Sequence, residues 1–134
     1  MDLILDTSVL IAVERGALDL RTLLRGRSGV GVAITAVTVA ELLYGVERAT
    51  TTAVALRRAA FADWVTQTIP VLPFGVAEAR RHAELRAHLA AVGTMIGPHD
   101  LQIAATALAR GHGVATLDVQ EFARVPGLDV VGPA

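Results

Sequence analysis

The chain has 134 residues, a length that favours one domain with a buried core, so we assign residues 1–134 to a single domain. Hydrophobic residues make up 53% but aromatic residues only 4%, which predicts an aliphatic core. The absence of cysteine excludes disulfides and thiolate metal sites, and the absence of lysine excludes any mechanism that requires a catalytic lysine.

The net charge of −1 at first argues against a nucleic-acid partner. Setting aside the four acids discussed below leaves 12 basic residues against 9 acidic ones, a mildly basic balance that permits phosphate binding without predicting it. No segment predicts a membrane span, because Glu41, Thr35 and Thr38 interrupt the longest apolar stretch. The N-terminus lacks the basic start of a signal peptide, and we expect a cytoplasmic protein.

Apolar runs and capping residues predict the elements of the first half of the chain. In chain order these are a strand at 3–5, a helix from Thr7 or Ser8 to Glu14, a helix at about 18–25, a strand at 30–34, a helix opened by Thr38 and a helix at about 52–67. The last of these has an apparent apolar face that includes Leu56, Ala60 and Trp64.

The second half continues the alternation of strands and helices. It predicts a strand at 69–72, a helix at 74–91, a helix from Pro98 to about Arg110, a strand at 114–116, a short helix at 120–123 and a strand at 128–131. Pro70 predicts that its strand lies at a sheet edge or is poorly paired. The alternation predicts a three-layer α/β/α sandwich with a mainly parallel central sheet.

Four acids project onto one edge of this predicted sheet. Asp6 follows the first strand, Asp118 follows the fourth, and Glu41 lies in the first turn of the helix after the second. Asp100 opens the helix that leads back to the fourth strand, so it lies at the same carboxyl edge. Ligands bind at that edge in open α/β sheets.

Each acid also has an explanation without function. Glu41 is spaced from Thr38 as in a capping box, Asp100 would complement a helix dipole, and Asp118 would serve as an N-cap or turn residue. Asp6 is harder to explain in this way, because a buried carboxylate needs a partner such as an arginine or helix N–H groups. Four converging carboxylates would repel one another, and a divalent cation would remove that conflict. All-oxygen ligands suit Mg²⁺ or Mn²⁺.

Four motifs in order resemble the PIN-domain family, and specifically its VapC-type toxin ribonucleases. They are LILDTSVLI around Asp6, ITAVTVAELLYGVER around Glu41, IGPHDLQIAATALARG around Asp100 and VATLDVQEF around Asp118. The resemblance implies a PIN-like fold and Mg²⁺- or Mn²⁺-dependent hydrolysis of RNA phosphodiester bonds by metal-activated water. It also implies a homodimer and a cognate VapB-type antitoxin.

In this resemblance the four acids form the catalytic and metal-binding set, with Asp6 and Asp100 as the main metal ligands. Thr116, Thr7 and Ser8 are candidates to support those ligands, although helix capping explains Thr7 and Ser8 equally well. His99 lies outside the expected pattern.

Two other classes of function stay open. A PIN-like protein that has lost activity would act only through binding partners. An aspartyl-phosphate phosphotransfer domain would use Asp6 as its nucleophile, but such sites hold the phosphoryl group with a lysine, which this chain lacks.

Surface features outside the acids carry weaker signals. Arg80, Arg81 and Arg86 could contact RNA phosphates, although a solvated helix face explains them as well. Phe61, together with Leu56 and Trp64, is expected in the core or in a subunit contact.

Overall fold

The computed structural model describes residues 2–133, and within them five strands form one sheet. The strands are β1 (Leu3–Leu5), β2 (Val32–Thr35), β3 (Val71–Leu72), β4 (Gly113–Ala115) and β5 (Val130–Val131). Their order is β3-β2-β1-β4-β5, and every neighbouring pair is parallel. The predicted parallel α/β fold is confirmed, with β3 at an edge as Pro70 predicts.

Seven helices cover the two faces of the sheet within the same residues. They are α1 (Thr7–Glu14), α2 (Leu20–Leu23), α3 (Ala36–Glu47), α4 (Thr52–Thr68), α5 (Val76–Val92), α6 (Pro98–Arg110) and α7 (Val119–Phe122). None of them combines the length and the apolar character that crossing a bilayer requires.

The core is divided by the sheet into two aliphatic halves, because neighbouring strand residues point to opposite faces. Ile4 packs with residues of α5, α6 and α7, among them Leu89 and Phe122. Leu3 and Leu5 pack on the other face with α1, α2 and α4. The sheet is therefore covered on both sides, as in a three-layer sandwich.

The start of α3 differs from the prediction in a way that matters for the site. Thr35, not Thr38, is the N-cap, and its hydroxyl accepts a hydrogen bond from the Thr38 N–H at 3.3 Å. Glu41 therefore lies in the second turn rather than the first, beyond the reach of a capping box. The strand ends one residue later than predicted, at Thr35, which caps α3 from the last position of β2.

Three further predictions need correction. The face of α4 that packs inward carries Ala62 and Val65, whereas Leu56 and Trp64 are 66% and 48% exposed, so these two are not core residues. The helix predicted at 18–25 is a single turn capped by Asp19. Thr116 lies just beyond β4 rather than within it.

Candidate active site at the carboxyl edge of the sheet

The site lies where the chain connections of the sheet diverge, between β1 and β4. From β1 the chain passes to β2 and β3 on one side, and β4 and β5 lie on the other. Such a switch point leaves a crevice at the carboxyl ends of the two central strands. Asp6 follows β1 directly, and Thr116 follows β4.

Asp6 is a buried carboxylate, 4% exposed, that is held by two hydroxyl groups. Its Oδ2 accepts hydrogen bonds from Ser8 Oγ at 2.7 Å and from Thr116 Oγ1 at 2.8 Å. Asp6 stands at the N-cap position of α1, but its side chain makes no capping hydrogen bond. Within residues 2–133, therefore, neither of the partners expected from the sequence, an arginine or a helix N–H, pairs with it, and Oδ1 accepts no hydrogen bond.

Glu41 is held in a similar way from the neighbouring helix. Its Oε1 accepts a hydrogen bond from Thr7 Oγ1 at 2.9 Å, and the Thr7 hydroxyl is 3.1 Å from that of Thr38. Its Oε2 lies 3.4 Å from His99 Nδ1, a residue that the motif pattern left out. Thr7 and Ser8 thus contact acids of the site rather than cap α1.

Asp118 stands at the N-cap position of α7, yet its side chain makes no capping hydrogen bond. Its backbone N–H donates to Thr116 Oγ1 at 2.9 Å. Because that hydroxyl in turn donates to Asp6, Thr116 fixes the loop after β4 relative to the end of β1. The carboxylate of Asp118 is exposed and uncommitted to capping.

Glu121 is a site residue that the sequence reasoning missed. Oxygens of Asp100, Asp118 and Glu121 all lie within 4.8 Å of one another. Glu121 Oε1 accepts a hydrogen bond from the Gly97 N–H at 3.0 Å, which ties α7 to the start of α6. The available signal was its position three residues after Asp118, where helical side chains share a face.

The acids act on one another most strongly at Asp100. Burial, a hydrogen bond with Glu121 and the charges of Asp6, Glu121 and Glu41 together raise the pKa of Asp100 to about 8. The hydrogen bond from Asp100 lowers the pKa of Glu121. In the metal-free protein at neutral pH, the two side chains therefore share one proton, located mainly on Asp100. This coupling brings Asp6, Glu41 and Asp100 into one electrostatic site.

The arrangement fits a divalent cation. The tight group of Asp100, Asp118 and Glu121 offers only carboxylate oxygens, which are the ligands of hard cations. Asp6 and Glu41 lie outside that tight group. In each of them, hydroxyl groups donate to one carboxylate oxygen, and the second oxygen takes no part in those hydrogen bonds. A cation among these groups would relieve the repulsion that raises the Asp100 pKa.

Comparison with known proteins decides the family. The family model described as PIN domain matches residues 3–128. The chain belongs to the PIN-domain family. The match covers β1 to β4 and all five acids of the site.

Curated relatives of this PIN domain bear the name that the sequence motifs predict. "Ribonuclease VapC1" of Rickettsia felis is 37% identical over 132 residues, which is 98% of this chain and 96% of the relative. "Ribonuclease VapC5" of Mycobacterium tuberculosis is 41% identical over 124 residues, 92% of this chain and 87% of the relative. The resemblance to VapC-type ribonucleases is thereby confirmed.

The fold also agrees with that of a chain in a solved VapBC complex. The structure of VapBC2 from Rickettsia felis bound to a promoter DNA fragment superposes with a TM-score of 0.87 at 25% identity, covering 98% of both chains. The PIN-like α/β prediction is confirmed over nearly the whole chain.

Proposed function

We propose that this PIN domain is a divalent-metal-dependent endoribonuclease, the toxin of a VapBC-type toxin–antitoxin pair. Its Mg²⁺- or Mn²⁺-binding and catalytic residues are Asp6, Glu41, Asp100 and Asp118, and Glu121 joins them. The substrate is RNA, and the reaction is hydrolysis of a phosphodiester bond. The names of the relatives and the convergence of the five acids support this proposal together.

The residues of the chain divide the work. Asp6 keeps Oδ1 free of hydrogen bonds within residues 2–133, because Ser8 and Thr116 donate to Oδ2. Asp100, Asp118 and Glu121 supply the closest set of carboxylates. Glu41, positioned by Thr7, adds negative charge from the opposite side of the crevice. The proton shared by Asp100 and Glu121 must leave before both carboxylates can act as ligands.

A divalent cation bound there would lower the pKa of an attacking water and stabilise charge on the phosphate. The hydroxyl network keeps the acids in place without adding positive charge that would compete with the cation. Loss of such a hydrogen bond to a metal ligand commonly lowers metal affinity or activity by about 10- to 100-fold.

We also propose the partners of the protein and its location in the cell. The chain acts as a homodimer in the cytoplasm and is inhibited by a cognate VapB-type antitoxin. It is a single domain over residues 1–134. The observation that carries the catalytic part is the electrostatic convergence on Asp100, because the acids around it raise its pKa and a cation would relieve their repulsion.

The test is cleavage of RNA by the purified protein with and without divalent ions. We expect cleavage with Mg²⁺ or Mn²⁺, none after chelation, and none by Asp100→Asn. Asp63→Asn removes an exposed acid from α4 and serves as the matched control, which should cleave normally. Full cleavage by Asp100→Asn would contradict the proposal, and metal binding without cleavage would favour the inactive PIN-like alternative.

A further inference from the structure

A basic cleft opens beside the acidic site, between α1, α3 and α4. Its charged lining consists of Glu14, Arg15, Glu41, Arg48, Arg57 and Arg58, and we call it the arginine cleft. Four guanidinium groups face two carboxylates, one of which is the site acid Glu41. The cleft is thus positively charged although the chain as a whole carries −1.

The cleft is continuous with the candidate active site through Glu41. This residue lines the cleft and also contacts Thr7 and His99. Arg48 is the C-cap of α3 and follows Glu41 by seven residues, a rise of about 10 Å along the helix. A strand of RNA whose phosphate lay at the acids could therefore continue past Glu41 and along the arginines.

The arginines differ in how far their donors are already engaged. Arg58 donates to the Gly45 carbonyl at 2.7 Å, so it helps to form the wall of the cleft. Arg57 faces Glu14 through Nε at 3.6 Å, and no hydrogen bond within residues 2–133 engages its two terminal nitrogens. Arg15 and Arg48 are exposed, and Arg48 lies over the Tyr44 ring at 5.2 Å. Stacking of this kind leaves the edge of a guanidinium free for phosphate oxygens.

The carboxylate of Glu14 does not balance the positive charge of the cleft. Its Oε1 is buried and has no hydrogen-bond partner in the described residues, and its one ion pair there is with Arg57 at 3.6 Å. Glu14 and Glu41 together offer two negative charges against four guanidinium groups, so they cannot neutralise the cleft. An anion from outside would complete the charge balance.

We propose that the arginine cleft binds the phosphate backbone of the RNA substrate next to the cleavage point, through Arg15, Arg48 and Arg57. The inference rests on the proposed ribonuclease function and deepens it. The acidic site repels phosphates, so a nearby basic track is needed to bring the backbone to it. Contacts of this kind give affinity and position without reading sequence.

The decisive measurement is binding of a single-stranded RNA oligonucleotide in EDTA, at several salt concentrations. The test variant is Arg15→Ala with Arg48→Ala. The matched control is Arg80→Ala with Arg86→Ala, which removes the same charge from exposed positions on α5, away from the cleft. We expect the test variant to bind roughly tenfold more weakly, and its salt slope to fall by about 0.7 for each lost phosphate contact. The control should bind like the unchanged protein.

Two further readouts sharpen the test. Glu14→Gln removes the negative charge of the cleft and should tighten RNA binding a few-fold, an opposite effect that misfolding cannot produce. In the cleavage assay the arginine variant should raise KM while kcat at saturating RNA stays within about twofold, because no reacting group is lost.

Equal weakening by both double variants would assign the effect to net charge and overturn the proposal. Unchanged RNA binding together with lost affinity for the cognate antitoxin would also overturn it, since the cleft would then belong to a protein partner. Binding is measured without divalent ions, so a failure of cleavage alone contradicts the proposed function and not this inference.

Discussion

Two carboxylates of this protein are buried almost equally, yet their surroundings are opposite. Glu78, at the start of α5, is 3% exposed and lies 2.9 Å from Arg110 Nη2 and 3.0 Å from its Nε. Asp6 is 4% exposed and contacts only hydroxyls and, at longer range, other acids. Glu78 is thus paired with an arginine of the fold, whereas no arginine or histidine pairs with Asp6 within residues 2–133.

The pKa of Glu78 and that of Asp100, an acid close to Asp6, are shifted in opposite directions. Hydrogen bonds from backbone N–H groups, its own foremost, and the Arg110 guanidinium lower the pKa of Glu78 despite its burial. Burial and neighbouring acids raise the pKa of Asp100. Depth of burial alone therefore does not distinguish the ion-paired acid from the proposed metal ligand. We propose that the absence of a paired cation within residues 2–133 does, because a buried negative site without one can accommodate a metal ion.

RNA cleavage should depend strongly on Asp6 and not on Glu78. Asp6→Asn removes a charged ligand while keeping the shape of the side chain, and we expect RNA cleavage to fall about 10³-fold, the equivalent of about 4 kcal/mol. Thermal unfolding should change little or shift upward, since the repulsion at the site is reduced. A variant that cleaves at the normal rate would remove Asp6 from the catalytic set.

The converse variant, Glu78→Gln, should leave cleavage intact and lower the free energy of unfolding by about 3 kcal/mol, because Arg110 then loses its partner. Denaturant unfolding at pH 7 measures it. The pKa of Glu78 is lowered in the fold, so its stabilising effect is present above the ordinary value of 4.5 and is lost as the pH falls through the folded value. The variant and the unchanged protein should therefore converge in acid, and a constant difference would contradict the ion-pair account.

Thr116→Val tests whether the hydroxyl network supports the site. The substitution keeps the size of a fully buried side chain but removes the donor to Asp6 and the acceptor of the Asp118 N–H. We expect kcat to fall about 10- to 100-fold and the metal affinity to fall with it. Thr116→Ser, which keeps the hydroxyl, should restore most of the activity. If the serine variant is as impaired as the valine variant, packing rather than the hydroxyl is what matters.

The smallest effect concerns pH and the metal-free protein. A pKa raised in the fold contributes stability that is complete below the unfolded value of 3.8 and is lost as the pH rises through about 8. After allowance for solvent screening of a half-exposed group, we expect a loss of about 1–2 kcal/mol between pH 6 and 9. Asp100→Asn should lack this decline, which thermal unfolding in EDTA would show.

The sequence predicted the fold well where local signals agreed. The bounds of α6 were correct, because Pro98 fits the first helical turn and Gly111 takes a left-handed φ of 68° just after the last residue. The α3 start was wrong because Thr35 and Thr38 compete as caps, and only the length of β2 decides between them. Leu56 and Trp64 were misplaced because an apolar side chain on a helix does not reveal which face packs inward.

The candidate site was partly predictable for a similar reason. Strand order and helix direction bring Asp6, Glu41 and Asp100 to one edge, and that much follows from alternation of elements. Glu121 escaped notice because its spacing from Asp118 is also that of a capping pair, and only the three-dimensional approach of α7 to Gly97 distinguishes the two. The hydrogen bond from Thr116 to Asp6 joins residues 110 positions apart and has no sequence signature.

We propose above all that the carboxyl edge of the sheet binds a divalent cation, and that no side chain of the protein takes its place. Calorimetric titration of Mn²⁺ into the metal-free protein at pH 7 and pH 8.5 tests it most directly. We predict saturable binding that tightens at the higher pH, because Asp100 must lose its proton. This binding should be lost in Asp100→Asn but kept in Glu78→Gln. Binding that is equally strong in Asp100→Asn, or absent from the unchanged protein at millimolar Mn²⁺, would contradict it.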